Sequence, residues 1–294
     1  MNYLSGFADE AADGIDGQIA ATKALGWSAL EARSVDGVNI HDLSEEAFAA
    51  ARRKLDAAGV RVNCFGSTIA NWSKSVDEPF AEAVGTAERA IARMKLLSVP
   101  LIRIMSYAVI LEADGRAAAD QKKEERFRRL RELCARFLDS GITPVHENCF
   151  NYGGMSWEHS LELLQAVPGL KLVYDTGNPA LTPDFRKEFP YPNQDAAEAY
   201  GKLREYIVHV HIKDGERDPV TGAEKYYFPD EGVCAVGSIV SDLLATGYGG
   251  CFSIEPHMAF VYHDDAVKLD DRARFDNYVE YGRRFERMLA AARS

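Results

Sequence analysis

Eight short runs of β-prone residues, each followed by a segment of helical periodicity, set the narrowest limit on how this chain folds. The runs are Tyr3 to Ala8, Ala29 to Arg33, Val60 to Gly66, Leu101 to Ser106, Thr143 to Glu147, Leu170 to Asp175, Ile207 to Ile212 and Cys251 to Glu255. Each βα pair takes roughly 25 to 45 residues, the rhythm of repeated βα units. Helices are expected at Gln18 to Leu25, at Ser44 to Ala58 with a Ser44 cap and a stop at Gly59, and at Arg272 to Ala292. The clearest spans Glu124 to Leu138: Phe127, Leu130, Cys134, Phe137 and Leu138 form its apolar stripe, and Glu125, Arg128, Arg129, Arg131 and Glu132 its wet side. Eight pairs with no linker or composition break predict an α/β fold, a single (β/α)8 barrel domain over residues 1–294. Long segments follow several strands: Thr68 to Glu78, Tyr107 to Lys123, Thr176 to Asn193, Asp214 to Gly237 and Pro256 to Asp271. In a barrel these gather at the face where strands end and active sites are built.

Chemistry concentrates on the same face. In IVHVHIKDGER, Ile207 to Arg217, strand alternation sends Val208, Val210 and Ile212 one way and His209, His211 and Lys213 the other. Three other apolar runs end in carboxylates: Glu147 in PVHEN, Asp175 in VYDTGN and Glu255 in SIEPH. Isolated buried charges are expensive, so carboxylates there need a partner or a cation. Three carboxylates and one imidazole suit one divalent metal ion, and Mn2+, Mg2+, Co2+ and Zn2+ all fit that donor set. A loop-anchoring role is the alternative for each carboxylate taken alone. His209 lies a layer below His211, as a structural histidine or a substrate contact, while His146 is expected to face the helices.

Composition narrows the partners. A net charge of -11 disfavours nucleic acid. Five scattered cysteines without a CxxC pair indicate neither disulfides nor a thiolate zinc site, and fit a reducing, cytoplasmic compartment. No run approaches a membrane span, and the first residues do not form a signal peptide.

The four strand ends resemble the sugar phosphate isomerase/epimerase family, the xylose isomerase-like TIM barrels that include ketose 3-epimerases and inosose isomerases. The resemblance covers nearly the whole chain. It implies metal ligation by Glu147, Asp175, His211 and Glu255, with Glu147 and Glu255 also the catalytic proton-transfer pair. It also implies a role in carbohydrate metabolism, with manganese among the ions used, and a homodimer or homotetramer. Arg217, six residues after His211, occupies a substrate-contact position, and Pro229 to Gly232 resembles the family's Gly-Glu-Gly turn. Two positions depart from the pattern: Asn178 stands where epimerases commonly carry a histidine, and Gly153 where some carry a glutamate. With only seven histidines, the related multi-zinc endonuclease branch is disfavoured.

The expected activity is metal-dependent isomerisation or epimerisation of a sugar or keto-polyol through a metal-stabilised enediolate, with Glu147 and Glu255 moving the proton. A lyase acting on 3-keto glycosides would use the same first step and then β-elimination. A non-catalytic sugar-binding barrel is the third reading. Asn178, Lys213, Arg217, His257 and Trp72 are candidate substrate-binding residues. For Lys213, a salt bridge with Asp214 or Glu31 is the alternative. Trp72 and the cluster Tyr226, Tyr227 and Phe228 could stack on a sugar ring, or pack loops or a second subunit. Arg103 is expected to pair with Glu31 inside the barrel. The absence of a Gly-rich phosphate cradle favours an unphosphorylated substrate.

Overall fold

The computed structural model describes residues 2–261 and 264–293. Positions 262 and 263, within the expected loop Pro256 to Asp271, and positions 1 and 294 of the expected domain lie outside the described residues.

Eight parallel strands form the sheet: β1 (Tyr3–Gly6), β2 (Ala29–Ala32), β3 (Arg61–Gly66), β4 (Leu101–Ile104), β5 (Thr143–Glu147), β6 (Lys171–Asp175), β7 (Ile207–Ile212) and β8 (Cys251–Ile254). Their spatial order is β1-β8-β7-β6-β5-β4-β3-β2, and a bridge between Phe7 and Glu31 joins β1 to β2, so the sheet nearly closes on itself. The flanking helices are α1 (Ile15–Ala24), α2 (Glu45–Ala58), α3 (Phe80–Leu97), α4 (Lys123–Asp139), α5 (Trp157–Ala166), α6 (Ala196–Leu203), α7 (Val236–Ala245) and α8 (Asp271–Ala292). This is the expected TIM barrel.

Local chemistry explains the boundaries. Ser44 caps α2 by accepting from Ala47 N–H at 3.1 Å, and Gly59 ends it in the left-handed region, φ 63°. Asp270 caps α8 by accepting from Ala273 N–H at 2.9 Å. Several strands stop earlier than the apolar runs suggest, so Arg33 and Glu255 stand just beyond β2 and β8, while β7 ends at Ile212 as expected, with Lys213 just past it. The α4 stripe needs a correction. Phe127, Leu130, Cys134 and Phe137 are buried as expected and Leu133 joins them, whereas Leu138 is 39% exposed, because in the last turn it falls at the edge of the face that Leu130, Leu133 and Phe137 bury. Arg129, expected on the wet side, is buried and donates to the Glu78 carbonyl at 2.8 Å, tying α4 to the loop after β3.

The large apolar core lies between strands and helices, where Val210 and Ile212 of β7 meet Tyr281, Phe285 and their neighbours. Inside the barrel, a small apolar plug of Cys64, Val145 and Val173 gives way to polar side chains. Register puts Asp175, His211 and Ser253 side by side on β6, β7 and β8, with Val173 and His209 one layer below. The polar face of β7 therefore points inward.

Candidate active site

Phe7, fully buried just past β1, is the platform on which the site rests. The His211 ring meets it edge-on at 5.0 Å, and the Arg33 and Arg103 guanidinium groups lie 4.3 and 5.3 Å from its centroid. Gly66 makes the room: a Cβ there would come within 2.6 Å of the Phe7 ring.

Glu31 orients the histidines. Its Oε2 lies 2.7 Å from His209 Nε2 and accepts from Ser253 Oγ at 2.7 Å, and its Oε1 lies 3.2 Å from His211 Nε2. Burial alone would raise the Glu31 pKa, yet His211 and His209 hold it well below the usual carboxylate range. With Nε2 turned to Glu31, His211 Nδ1 faces Glu147 Oε1 at 3.4 Å and Glu255 Oε2 at 3.6 Å. Burial works against a charged imidazole, but Glu31 and Glu147 outweigh it and lift His211 to about 10. His209 has the structural role weighed for it above.

The three carboxylates each divide their oxygens. Glu147 Oε2 accepts from Arg103 Nη1 at 2.9 Å, and its Oε1 accepts from Asn178 Nδ2 at 3.1 Å. Asp175 Oδ1 accepts from Gly177 N–H at 2.8 Å and Asn178 N–H at 2.7 Å, while Oδ2 lies 3.0 Å from Lys213 Nζ. Glu255 Oε1 accepts from Arg33 Nη1 at 3.1 Å and lies 3.2 Å from His257 Nε2; its Oε2 lies 3.1 Å from Lys213 Nζ. Burial opposes charge on all three. Arg103 and His211 nevertheless hold Glu147 at about 2, and Lys213 leads the groups that hold Glu255 low. Asp175 goes the other way, to about 7, because burial and the charges of Glu255 and Glu147 outweigh Lys213.

These positions correct two expectations. Neither arginine pairs with Glu31: Arg103 binds Glu147, and Arg33 binds Asp9, Glu10 and Glu255, because Glu31 lies a layer deeper and is taken by the histidines. Lys213 meets neither Asp214 nor Glu31. Asp214 instead accepts backbone N–H groups of Gly215, Gly232 and Cys234, the second of these within the Pro229 to Gly232 turn. Asp9 and Glu10 were not singled out in the sequence; a pair of acids directly after an apolar strand, FADE, is the signal that points to them.

A cavity of about 370 Å³ opens over this cluster, and Glu147, Asn178, Lys213, Arg217, Glu255, His257 and Trp72 all line it. Arg217 sits on the hairpin Asp214–Arg217 and Glu224–Tyr227, donating to Asn193 Oδ1 at 3.1 Å. Tyr226 of that hairpin also lines the cavity and meets the His257 ring at 5.1 Å, whereas Phe228 packs on Tyr281 and Arg284. His257 has φ 54° and is anchored by its N–H to Glu10 Oε2 at 2.8 Å. His146 faces outward, bonded to Ser106 and Asn151. It also explains Gly153, where a Cβ would come within 2.5 Å of the His146 ring.

The donor set fits a divalent ion. Ligand atoms of Glu147, Asp175, His211 and Glu255 all lie within 4.8 Å of one another. Asp175 Oδ2, His211 Nδ1 and Glu255 Oε2 are buried without a well-formed hydrogen bond and are held by ion-pair contacts alone. Buried polar atoms in that condition, converging on one point, suit a shared cation.

The family model of the xylose isomerase-like TIM barrel matches residues 19–274. The chain belongs to this family. Among curated proteins none matches significantly. Similar solved structures include a xylose isomerase-like TIM barrel protein from Mycobacterium smegmatis in complex with magnesium, 17% identical, covering 100% of this chain and 98% of that one, with TM-score 0.70. A D-psicose 3-epimerase with D-tagatose from Clostridium cellulolyticum H10 is 16% identical over 98% and 99% of the two chains, TM-score 0.69. A probable 3-DHS dehydratase involved in petrobactin synthesis from Bacillus anthracis is 16% identical over 97% and 99%, TM-score 0.68. At these identities the likeness is one of fold. No helix among the described residues is long and apolar enough to cross a membrane.

Proposed function

We propose that this protein is a divalent-metal-dependent isomerase or epimerase of a sugar or keto-polyol, in which Glu147 and Glu255 transfer the proton. The observation that carries the reading is the convergence of two glutamates held in the ionised form, each with an oxygen within 3.6 Å of His211 Nδ1, beneath one cavity. Glu147, Asp175, His211 and Glu255 would hold the ion. A bound divalent ion supplies positive charge that acidifies a C–H bond next to a carbonyl.

The chain's own residues supply the rest. Arg103 leads the groups that keep Glu147 ionised and Lys213 those that keep Glu255 so, the form a base needs, at some loss of intrinsic basicity. One glutamate removes the proton next to the substrate carbonyl, and the other delivers a proton to the opposite face of the resulting enediolate. Return to the same carbon epimerises it; return to the neighbouring carbon interconverts aldose and ketose. Lys213 and Arg217 offer cationic donors to substrate oxygens, and Asn178 fixes Glu147 and Lys213 together, bonded to both at 3.1 and 3.2 Å. Trp72 and Tyr226 supply flat faces for ring carbons.

The solved relatives support this reading, since they include a D-psicose 3-epimerase with D-tagatose and a xylose isomerase-like TIM barrel protein in complex with magnesium. The lyase reading shares the first step and draws on two observations. Apolar Phe150, Leu181 and Pro183 also line the cavity, and a probable 3-DHS dehydratase is among the similar solved structures. Incubation of the Mn2+-loaded protein with free ketohexoses and with 3-keto glycosides in D2O separates the readings. The isomerase gives carbon-bound deuterium and an isomer; release of an aglycone identifies the lyase.

A further inference from the structure

Two of the oxygens offered to a metal ion are already contacted by another cation. Lys213 Nζ lies 3.0 Å from Asp175 Oδ2 and 3.1 Å from Glu255 Oε2, the oxygens of those residues that accept no well-formed hydrogen bond. Their sister oxygens are taken, Asp175 Oδ1 by two backbone N–H groups and Glu255 Oε1 by Arg33. The lysine is built into this position. Its N–H and carbonyl both bond the Thr176 hydroxyl, at 3.0 and 2.6 Å, and its stem crosses Gly177, where a Cβ would come within 2.8 Å of Lys213 Cγ. The side chain is buried, and its remaining contact is Asn178 Oδ1 at 3.2 Å.

Resting on the metal-site reading above, we propose that Lys213 is an electrostatic competitor of the divalent ion. An ammonium and a divalent ion that draw on the same two oxygens stand within a few ångströms of each other, inside the protein, where solvent and salt screen them weakly. Each therefore loosens the other. Lys213 stabilises the ion-free protein by balancing the buried carboxylates, and by the same charge it lowers metal affinity. Because Lys213 also lines the cavity, an ammonium drawn off the ligand oxygens is presented to the substrate.

The test is calorimetric titration of Mn2+, and separately Mg2+, into chelator-treated wild type, Lys213→Met and Lys54→Met. Lys54 is a surface residue paired with Asp16 at 2.7 Å, and its loss controls for net charge. Lys213→Met is expected to bind Mn2+ about tenfold tighter or more, and Lys54→Met to match wild type. Ion-free Lys213→Met should melt below wild type and gain more in Tm on adding Mn2+. Equal or weaker Mn2+ binding by folded Lys213→Met, with wild type binding normally, overturns the competition alone. Absence of ion binding in both proteins overturns the metal-site reading with it. If Lys213→Met does not fold without metal, amine-reactive labelling of wild type, read at the Lys213 peptide by mass spectrometry, decides. Mn2+ should speed labelling at Lys213, and unchanged or slower labelling overturns the proposal.

Discussion

Glu147 and Glu255 each give one oxygen to an arginine and turn the other towards His211, so each glutamate is aimed at the same point. Glu147→Gln and Glu255→Gln remove the base while keeping the shape. Each is expected to cut solvent-deuterium exchange into a keto-sugar substrate by about 100-fold or more with far-UV circular dichroism unchanged; near-normal exchange in both variants sinks the proton-transfer assignment. Arg103→Met should act on stability as well. It strands a buried carboxylate, so urea denaturation of the chelated protein should lose about 3–5 kcal/mol. Arg33 and Arg103 were visible in the sequence as charges in or beside strands, but their partners were not. Strand alternation gives the face a side chain points to, whereas partner choice depends on the layer each side chain occupies, and Glu31 sits one layer too deep.

At the scale of elements, the caps follow local rules that can be read without a structure. Ser44→Ala should cost about 1 kcal/mol in chemical denaturation, the usual worth of an N-cap hydroxyl. The loop after β3 depends on a contact that sequence does not show. His41 Nε2 accepts from Thr68 N–H at 3.1 Å, and its Nδ1 lies 3.2 Å from Asp42 Oδ2. Burial lowers the His41 pKa below its ordinary value. The contribution of His41 is therefore complete above the pKa of a free imidazole, about 6.5. It declines as pH falls below that value, because the unfolded chain takes up a proton that the folded chain refuses. His41→Gln, which keeps an acceptor for Thr68, should flatten the loss of stability between about pH 7 and pH 5 relative to wild type, measured by urea midpoints. Identical pH slopes would refute the role given to His41.

For the whole molecule, the unusual feature is a barrel interior that is polar above a small plug of Cys64, Val145 and Val173, where branched apolar side chains ordinarily fill such barrels. Stability then falls to the strand–helix core and to charge balance within the barrel. If an ion joins that balance, an excess of about 100 times its dissociation constant should add about 2.7 kcal/mol, and chelation should lower Tm correspondingly. An unchanged Tm with and without Mn2+ would argue against a bound ion in the native protein.

The order of apolar runs and helical segments determined the barrel by itself, because period-two and period-3.6 patterning are local and repeat eight times. The convergence of Glu147, Asp175, His211 and Glu255 also follows from it, since strand ends of a barrel share one face. Tertiary structure alone decided how the charges pair: Arg103 with Glu147, Arg33 with Asp9 and Glu255, Glu31 with two histidines, and Lys213 across Asp175 and Glu255. Those pairings are set by distances of about 3 Å between residues far apart in the chain, where a shift of one layer exchanges one partner for another.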